Sequence, residues 1–587
     1  MDEFGGVAGR FCAGRDISKI CQPVIGAPRR LAKAPLWAAA MLAMALPAAA
    51  AAQNALPSRE ELSPAERTAI SPGRQASGIE GQLSAGPCPF AASDLRFTLQ
   101  GIDFGGLTAL PQERLASSWS DLKGREVPVS EICRIRDKAA DLLLAEGFLA
   151  RVEIPPQEIR DGRVRLEVIE ARIAAVRVHG SAGAAQRQVE RYMASLQGLA
   201  PFDLNVVQRQ ILLASDIPGI RLSTNVRPAE GEAGAVELDV QVERDAISAL
   251  AGAQNFSSDA AGPWTLLGRV DFNSFTSLGE RTSLVVSSTS DFDEQRVIQL
   301  LEEIRLGGSG LLARGSISYA RSRPSGAISV LDLEGESLVG TAELAYPAIR
   351  HRRHNLWVAA GIEAVDQTSD AFDGLARLID DKLRILYLRL DGNQRTNILS
   401  MPAFASLGLE LRKGLSALGA SKGGEADLSR AKADPQATLL RVNGRAEMAL
   451  APGVSLATSL LFQWADDPLL AYEELAIGNY TIGRGYDPGA VAGDRVAASA
   501  LELRYGPFGL GPVSGSAFGF IDSAWVENLD PGFGSGERKV QSGGGGVRFG
   551  LTDRLSLDLT YAHPFDRPVA GGPKASDRLL VNLITRF

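Results

Sequence analysis

Gly483-Arg484-Gly485-Tyr486 lies at the centre of DDPLLAYEELAIGNYTIGRGYDPGAVAGD, an apolar, glycine-punctuated stretch of roughly 30 residues, longer than connections in compact proteins usually run. Glycines on both sides of an arginine permit a tight turn that projects the side chain, and a guanidinium is the cation suited to two-point pairing with a carboxylate. Two downstream acids are placed to receive it: Glu502 in ALELRY and Asp522 in GFIDSAW, each on the polar side of an alternating run. The chemistry on offer is attachment, an arginine that latches a loop to a wall. Reaction chemistry is poorly supplied. The four histidines, His179, His351, His354 and His563, are scattered, and the HRRH that holds two of them reads as a solvated charge run. No nucleophile elbow, phosphate loop or metal-ligand spacing occurs, so no catalytic residue, metal or cofactor is assigned and no enzymatic activity is expected.

A latch needs a wall. After Ala246 the helical periodicity disappears and the chain reads as serial strands, from one at Ile247 through others starting near Lys382, Thr438 and Val513 to a last one at Arg578. In TLLRVNGRAEMAL, Leu440, Val442, Gly444, Ala446 and Met448 share one face, and Arg441, Asn443, Arg445 and Glu447 the other. In RLSLDLTYA, Leu555, Leu557, Leu559 and Tyr561 alternate with Ser556, Asp558 and Thr560. Charges at every second position cannot lie in a dry sandwich core without going unpaired; a strand with one face to lipid and the other to a watery lumen accommodates them. Closing an even number of strands on itself also removes the edge that lipid would not tolerate. The expected fold is therefore a transmembrane β-barrel of about 16 antiparallel strands over residues 246–587, ending on Phe587 and preceded by two small α+β domains.

Upstream, Ala34 to Ala52 follows Arg29, Arg30 and Lys33 and reads as an export signal, residues 1–52. Asp2, Glu3 and Asp16 make its leading region long and acidic, which points to a later translation start near Val24. Export leaves Cys88 and Cys133, which in an oxidising compartment pair most simply with each other. Residues 53–87, rich in Ser, Pro, Gly and charge, read as a linker or a marginal short helix. Residues 88–172 and 173–245 each read β-α-α-β-β or close to it, the first opening on the strand LRFTLQGIDF. Composition agrees with this division: 45% hydrophobic and 22% charged residues average over two faces, and a net charge of −8 argues against nucleic acid as a partner.

In this order the chain resembles the outer-membrane translocators of two-partner secretion, the ShlB/FhaC/HecB (TpsB) family of haemolysin secretion/activation proteins, relatives of the BamA insertase. The likeness runs from Cys88 to Phe587. It is carried by IGRGYDPG, with Gly483 where the family's motif usually has Val, by GFIDSAW, and by FTSLGERTSL and AYPAIRHRRHNLWVAAGIE in the strand region. EGFLARVEIPPQEIRDGRVRLEVIEA also resembles the end of a first POTRA domain, with Gly147, Pro155, Pro156, Gln157, Gly162 and Glu170 in order. The resemblance implies that 88–172 and 173–245 are POTRA domains in the periplasm of a Gram-negative bacterium. It implies that Phe520 and Asp522 form the F-x-D element that pairs with the loop arginine, with Glu502 nearby. It implies that 53–87 occupy the place of a plug and its linker, and that Phe587 is the insertion signal for the barrel-assembly machinery. The partners implied are outer-membrane lipid and an unfolded TpsA-type protein, an adhesin, haemolysin or toxin, carried to the surface by a monomer. The alternative is an insertase or assembly factor of the BamA/TamA type, which would carry more POTRA domains.

Overall fold

The computed structural model describes residues 56–67 and 86–587, apart from 259–260, 512, 531–535 and 570. The expected export signal and residues 53–55 and 68–85 of the expected linker lie outside the described residues.

In the first small domain, Gly101–Gly105, Arg163–Glu170 and Ala150–Glu153 form a sheet in that order, the first pair parallel and the second antiparallel. The helix Glu131–Ala145 covers it. Ile132, Ile135, Ala139 and Leu143 recur at three- and four-residue spacing and pack against Val152, Val164 and Leu166 of the sheet. The Cys88–Cys133 disulfide, with Cα atoms 5.7 Å apart, ties the lead-in chain to this helix. Two local features differ from the sequence reading. LRFTLQGIDF divides into Arg96–Thr98, which pairs with Glu126–Pro128, and Gly101–Gly105. In place of a first α-helix there are 3-10 turns at Gln112–Ser118 and Ser120–Leu122. Leu115 is buried in that run, Trp119 and Leu122 pack partly buried against the same core, and the Ser118 hydroxyl turns back to donate to the Leu115 carbonyl at 2.7 Å, a local bond that competes with the α-helical pattern.

The second domain follows at once and has the β-α-α-β-β order read from its sequence: Arg172–Gly180, helices Gln186–Ala194 and Leu204–Ser215, then Ile220–Pro228 and Ala235–Arg244. Asp203 caps the second helix by accepting the Asn205 and Val206 N–H groups. This domain is docked on the barrel end. Arg350 of the wall donates Nη2 and Nε to the two oxygens of Asp216 at 2.7 and 2.8 Å, the Ser274 hydroxyl donates to Pro218 O at 2.7 Å, and Gln188 Nε2 donates to Gly307 O at 2.6 Å.

Sixteen strands, from Ile247–Gln254 to Arg578–Arg586, make a closed barrel, each antiparallel to its neighbours. At the seam Phe587 exchanges two backbone hydrogen bonds with Ala249, of 2.9 and 3.3 Å, while its ring stays exposed. One strand start differs appreciably. The strand expected near Lys382 begins at Ala376, and with His354–Ala371 it forms a tall hairpin. Asp380 and Asp381 look like turn residues in sequence, but the Asp381 carboxylate instead accepts the Ser429 N–H at 2.9 Å from an overlying loop. The alternation is clear on this strand: Leu383, Ile385 and Tyr387 are buried inside, and Leu386 and Leu388 are about half exposed outside. Among the described residues no helix is long and apolar enough to cross a membrane. The crossing elements are these strands.

A disulfide closing a loop of 45 residues contributes about 4 kcal/mol in the chain-entropy picture. Cys133→Ser is expected to speed tryptic cleavage within 88–172 at least tenfold while the heat-modifiable gel mobility of the barrel stays unchanged.

Candidate functional site

The long connection 466–494 joins the wall strands Val454–Ala465 and Arg495–Leu510 and carries its own two-stranded pairing, Leu475–Ile477 with Val491–Gly493. It folds back against the inner wall because it is apolar enough to be buried: Ile477, Ile482, Tyr486 and Val491 form a core with Val496, Ala524, Val526 and Val540 of the strands. Gly483 turns the chain at φ +114°, a conformation that β-branched residues rarely adopt, which gives the Gly-for-Val departure a structural reason. Gly485 is needed for closeness. A Cβ there would stand 2.7 Å from Ser542 Cβ and 3.1 Å from Pro564 N.

Arg484 then meets the two acids that the alternation turned inward. Its Nε and Nη2 donate to the two oxygens of Asp522 at 3.0 and 2.7 Å, its backbone N–H donates to Asp522 at 2.9 Å, and Nη1 donates to Glu502 at 2.7 Å. The guanidinium lies 3.5 Å from the centre of the Phe520 ring. Burial alone would push this guanidinium toward the neutral form; the hydrogen bonds and charges of Asp522 and Glu502 outweigh it and raise its pKa above the ordinary arginine value. Glu502 is shared further, accepting from Arg504 at 2.6 Å and Arg548 at 2.7 Å, and Arg548 lies 4.0 Å from the centre of Phe518. Tyr486 is held separately: its hydroxyl donates to Gln541 O at 2.7 Å and accepts the Asp566 N–H at 3.1 Å. Thus Arg484, Phe520, Asp522 and Glu502 come together in one site, Tyr486 braces it from the next strands, and Cys88, Cys133 and Phe587 lie elsewhere. The histidines are apart from it: His351 and His354 stack at a turn, His563 pairs with Asp577, and His179 with Asp239.

The base of the loop has anchors that residue-type reasoning missed. Arg430, from the preceding loop, donates Nη2 to Asp494 at 3.1 Å and Nη1 to the Leu469 carbonyl at 2.8 Å. Arg412 donates to Glu473. The parity of charged residues along each strand was the available signal: Glu410 and Arg412 share the lumen face of LGLELRK.

The lumen also holds residues 56–67. Arg59–Leu62 and Pro64–Arg67 are one-turn helices, the first capped reciprocally: the Glu61 N–H donates to Ser58 Oγ at 3.3 Å and the Ser58 N–H to Glu61 Oε2 at 2.9 Å. Leu62 packs among Val297, Val339, Val365, Ile385, Leu470 and Tyr472, and the Ala65 N–H donates to Gln299 at 3.2 Å. The Ser58-x-x-Glu61 pattern was the sequence signal for this turn, hidden by the absence of any longer periodicity.

Two family profiles match the chain: POTRA domain, ShlB-type, over residues 97–171, and haemolysin secretion/activation protein ShlB/FhaC/HecB over residues 233–549. The heme/hemopexin transporter protein HuxB of Haemophilus influenzae strain 86-028NP is 21% identical over 79% of this chain and 82% of its own length. Among solved structures, CdiB from Escherichia coli superposes with a TM-score of 0.68 at 16% identity, covering 86% of this chain and 94% of that one. BamA from Haemophilus ducreyi lacking POTRA domains 1–3 gives 0.51 at 15% identity, over 84% and 100%. At these identities the two structures show a shared fold.

Gly485→Ala is expected to unseat the tip, since neither Ser542 nor the Pro564 backbone can yield enough for the added carbon. Trypsin added to intact cells should then cut the variant after Arg484 and leave the wild-type loop whole.

Proposed function

Because this chain belongs to the family of haemolysin secretion/activation proteins ShlB/FhaC/HecB, and is an outer-membrane β-barrel transporter of two-partner secretion, we propose a cycle for it in which the Arg484 loop and the segment 56–67 are the gating parts. The two small domains, 88–172 and 173–245, face the periplasm and capture an unfolded TpsA-type partner by adding its chain to a free sheet edge, where backbone pairing supplies affinity and side-chain pockets supply selectivity. The segment 56–67 plugs the lumen at rest and leaves as the partner enters. The loop 466–494 stays latched through Arg484 and keeps the extracellular half of the barrel in a transport-competent shape. Folding of the partner outside withdraws unfolded chain from the export equilibrium, so the transporter itself performs no covalent chemistry. Insertion by the barrel-assembly machinery through the strand that ends at Phe587, and action as a monomer, complete the reading.

What supports the latch is the seating of Arg484. Three hydrogen bonds and an aromatic face converge on one cation, the backbone N–H of Arg484 adds a fourth bond, and Asp522 beneath it is 1% exposed. Removing one partner of such a pair leaves a buried charge uncompensated, at a cost of about 3–5 kcal/mol. The fold shared with BamA is not enough to favour an insertase, because the family match covers the barrel itself and the chain brings two small domains.

Arg484→Ala and Asp522→Ala are each expected to leave the barrel in the outer membrane at close to wild-type abundance and to lower partner secretion at least tenfold. Arg484→Lys, which keeps the charge and loses the two-point geometry, should fall between. Export at the wild-type level from both alanine variants would remove the latch from the cycle.

A further inference from the structure

A second charged cluster lies inside the barrel, and the segment 56–67 contributes a guanidinium to it. Arg412, on the wall strand Met401–Gly414, is almost completely buried. Its Nη1 donates to Glu410 at 2.8 Å, its Nη2 to Glu363 at 2.6 Å, and its Nε and Nη2 to Glu473 at 3.0 and 2.7 Å. Glu363 and Glu410 belong to the wall and Glu473 to the long loop. Arg441, from the next strand, adds a contact to Glu473 at 3.4 Å. Those directly paired groups are three carboxylates against two guanidiniums. Arg389 faces the same side of the lumen and makes its contacts to Asp391 at 2.9 Å and to Glu343 at 2.8 Å, the latter shared with Arg314 at 3.1 Å, without a direct bond to Glu410. The third cation comes from the segment: Arg59 Nη2 stands 3.3 Å from Glu410.

Carboxylates withdrawn from water are tolerated when paired and costly when not. Withdrawal of Arg59 therefore removes one of the two guanidiniums that hydrogen-bond Glu410, at a place on the wall facing the path the segment had filled. Whatever replaces the segment passes the same carboxylates. A chain in transit is unfolded and presents its side chains one at a time, and an arginine or lysine among them can make the contact to Glu410 that Arg59 made. The segment's own grip leans on this contact, because two one-turn helices bury few apolar side chains, with Leu62 and Ala65 the deepest.

We propose that Glu410, with Glu363 beside it, is a guanidinium seat in the lumen wall: Arg59 fills it at rest, and a basic side chain of the exported chain fills it during passage. This rests on the reading of residues 56–67 as a plug, and the two are separable. The experiment uses the purified full-length protein in planar lipid bilayers. An unfolded 20-residue peptide with one central arginine, and its twin with glutamine there, are added to the side bearing the small domains. Arg59→Gln is expected to open at least ten times as often as wild type. In that variant the arginine peptide should block for about ten times as long as its twin, and the difference should vanish in Arg59→Gln/Glu410→Gln. Equal block times in Arg59→Gln, or a difference that survives in the double variant, overturn the seat; should the double variant fail to insert, the first comparison alone decides. The plug reading is tested by an Ala65→Cys/Gln299→Cys pair, placed where backbone and side chain meet at 3.2 Å. The oxidised pair should stay closed until reduced. A locked channel that conducts like the unlocked one overturns the plug and the resting occupant together, and the peptide comparison still decides whether the wall site takes a basic side chain.

Discussion

Hydrocarbon offers no partner to a backbone N–H or C=O, and the rest of this molecule follows from that. Each strand must find both neighbours within the chain, so the sheet closes and Ile247–Gln254 meets Arg578–Arg586. Closure divides every strand between two solvents. Leu386, Leu388, Leu407 and Leu411 face outward and are about half exposed, as suits a lipid boundary. Arg389, Glu410 and Arg412 face inward because no other face is open to them.

An inward charged face creates a second constraint. A lumen narrow enough to be filled by the protein's own parts is too dry to leave charges to water, so they must be matched by what enters it. Two inserts do the matching. The long loop brings Arg484 at its tip to Asp522 and Glu502 and Glu473 at its base to Arg412, and the segment 56–67 brings Arg59 to Glu410, while Arg430 of the neighbouring loop holds Asp494 at the end of the long loop. These are attachments made by charge and geometry across a cavity, and their strength depends on the exclusion of solvent that the inserts themselves provide. Apolar contact supplies only part of the hold, chiefly through Tyr486, Ile482 and Leu62.

The second small domain meets this system at several contacts, of which the Asp216 pairing is charged. Asp216, at the end of the helix Leu204–Ser215, receives the Arg350 fork from the wall, and its carbonyl accepts from Arg305 at 2.5 Å. The sheet of the second domain leaves Arg172–Gly180 and Ile220–Pro228 as its two outer strands. These outer strands belong to the domain that meets the barrel end.

Much of this was written in local pattern. Period-two alternation through TLLRVNGRAEMAL and RLSLDLTYA specified strands, their two environments and hence a closed barrel, because a side chain's face is set by its position in the strand whatever lies far away. The same parity marked Glu502 and Asp522 as inward acids, and two glycines marked Arg484 as a projecting cation. Other features had no local mark. Nothing near Arg59 points to Glu410, 351 residues away, and nothing near Arg412 distinguishes it from a solvated arginine. The early start of the strand at Ala376 shows only where an overlying loop donates the Ser429 N–H to Asp381. The sequence by itself determined which faces are polar, because alternation is a property of one strand. Which charge sits on which, and which segment brings Arg59 to Glu410, was decided only when closure brought distant strands around a common interior.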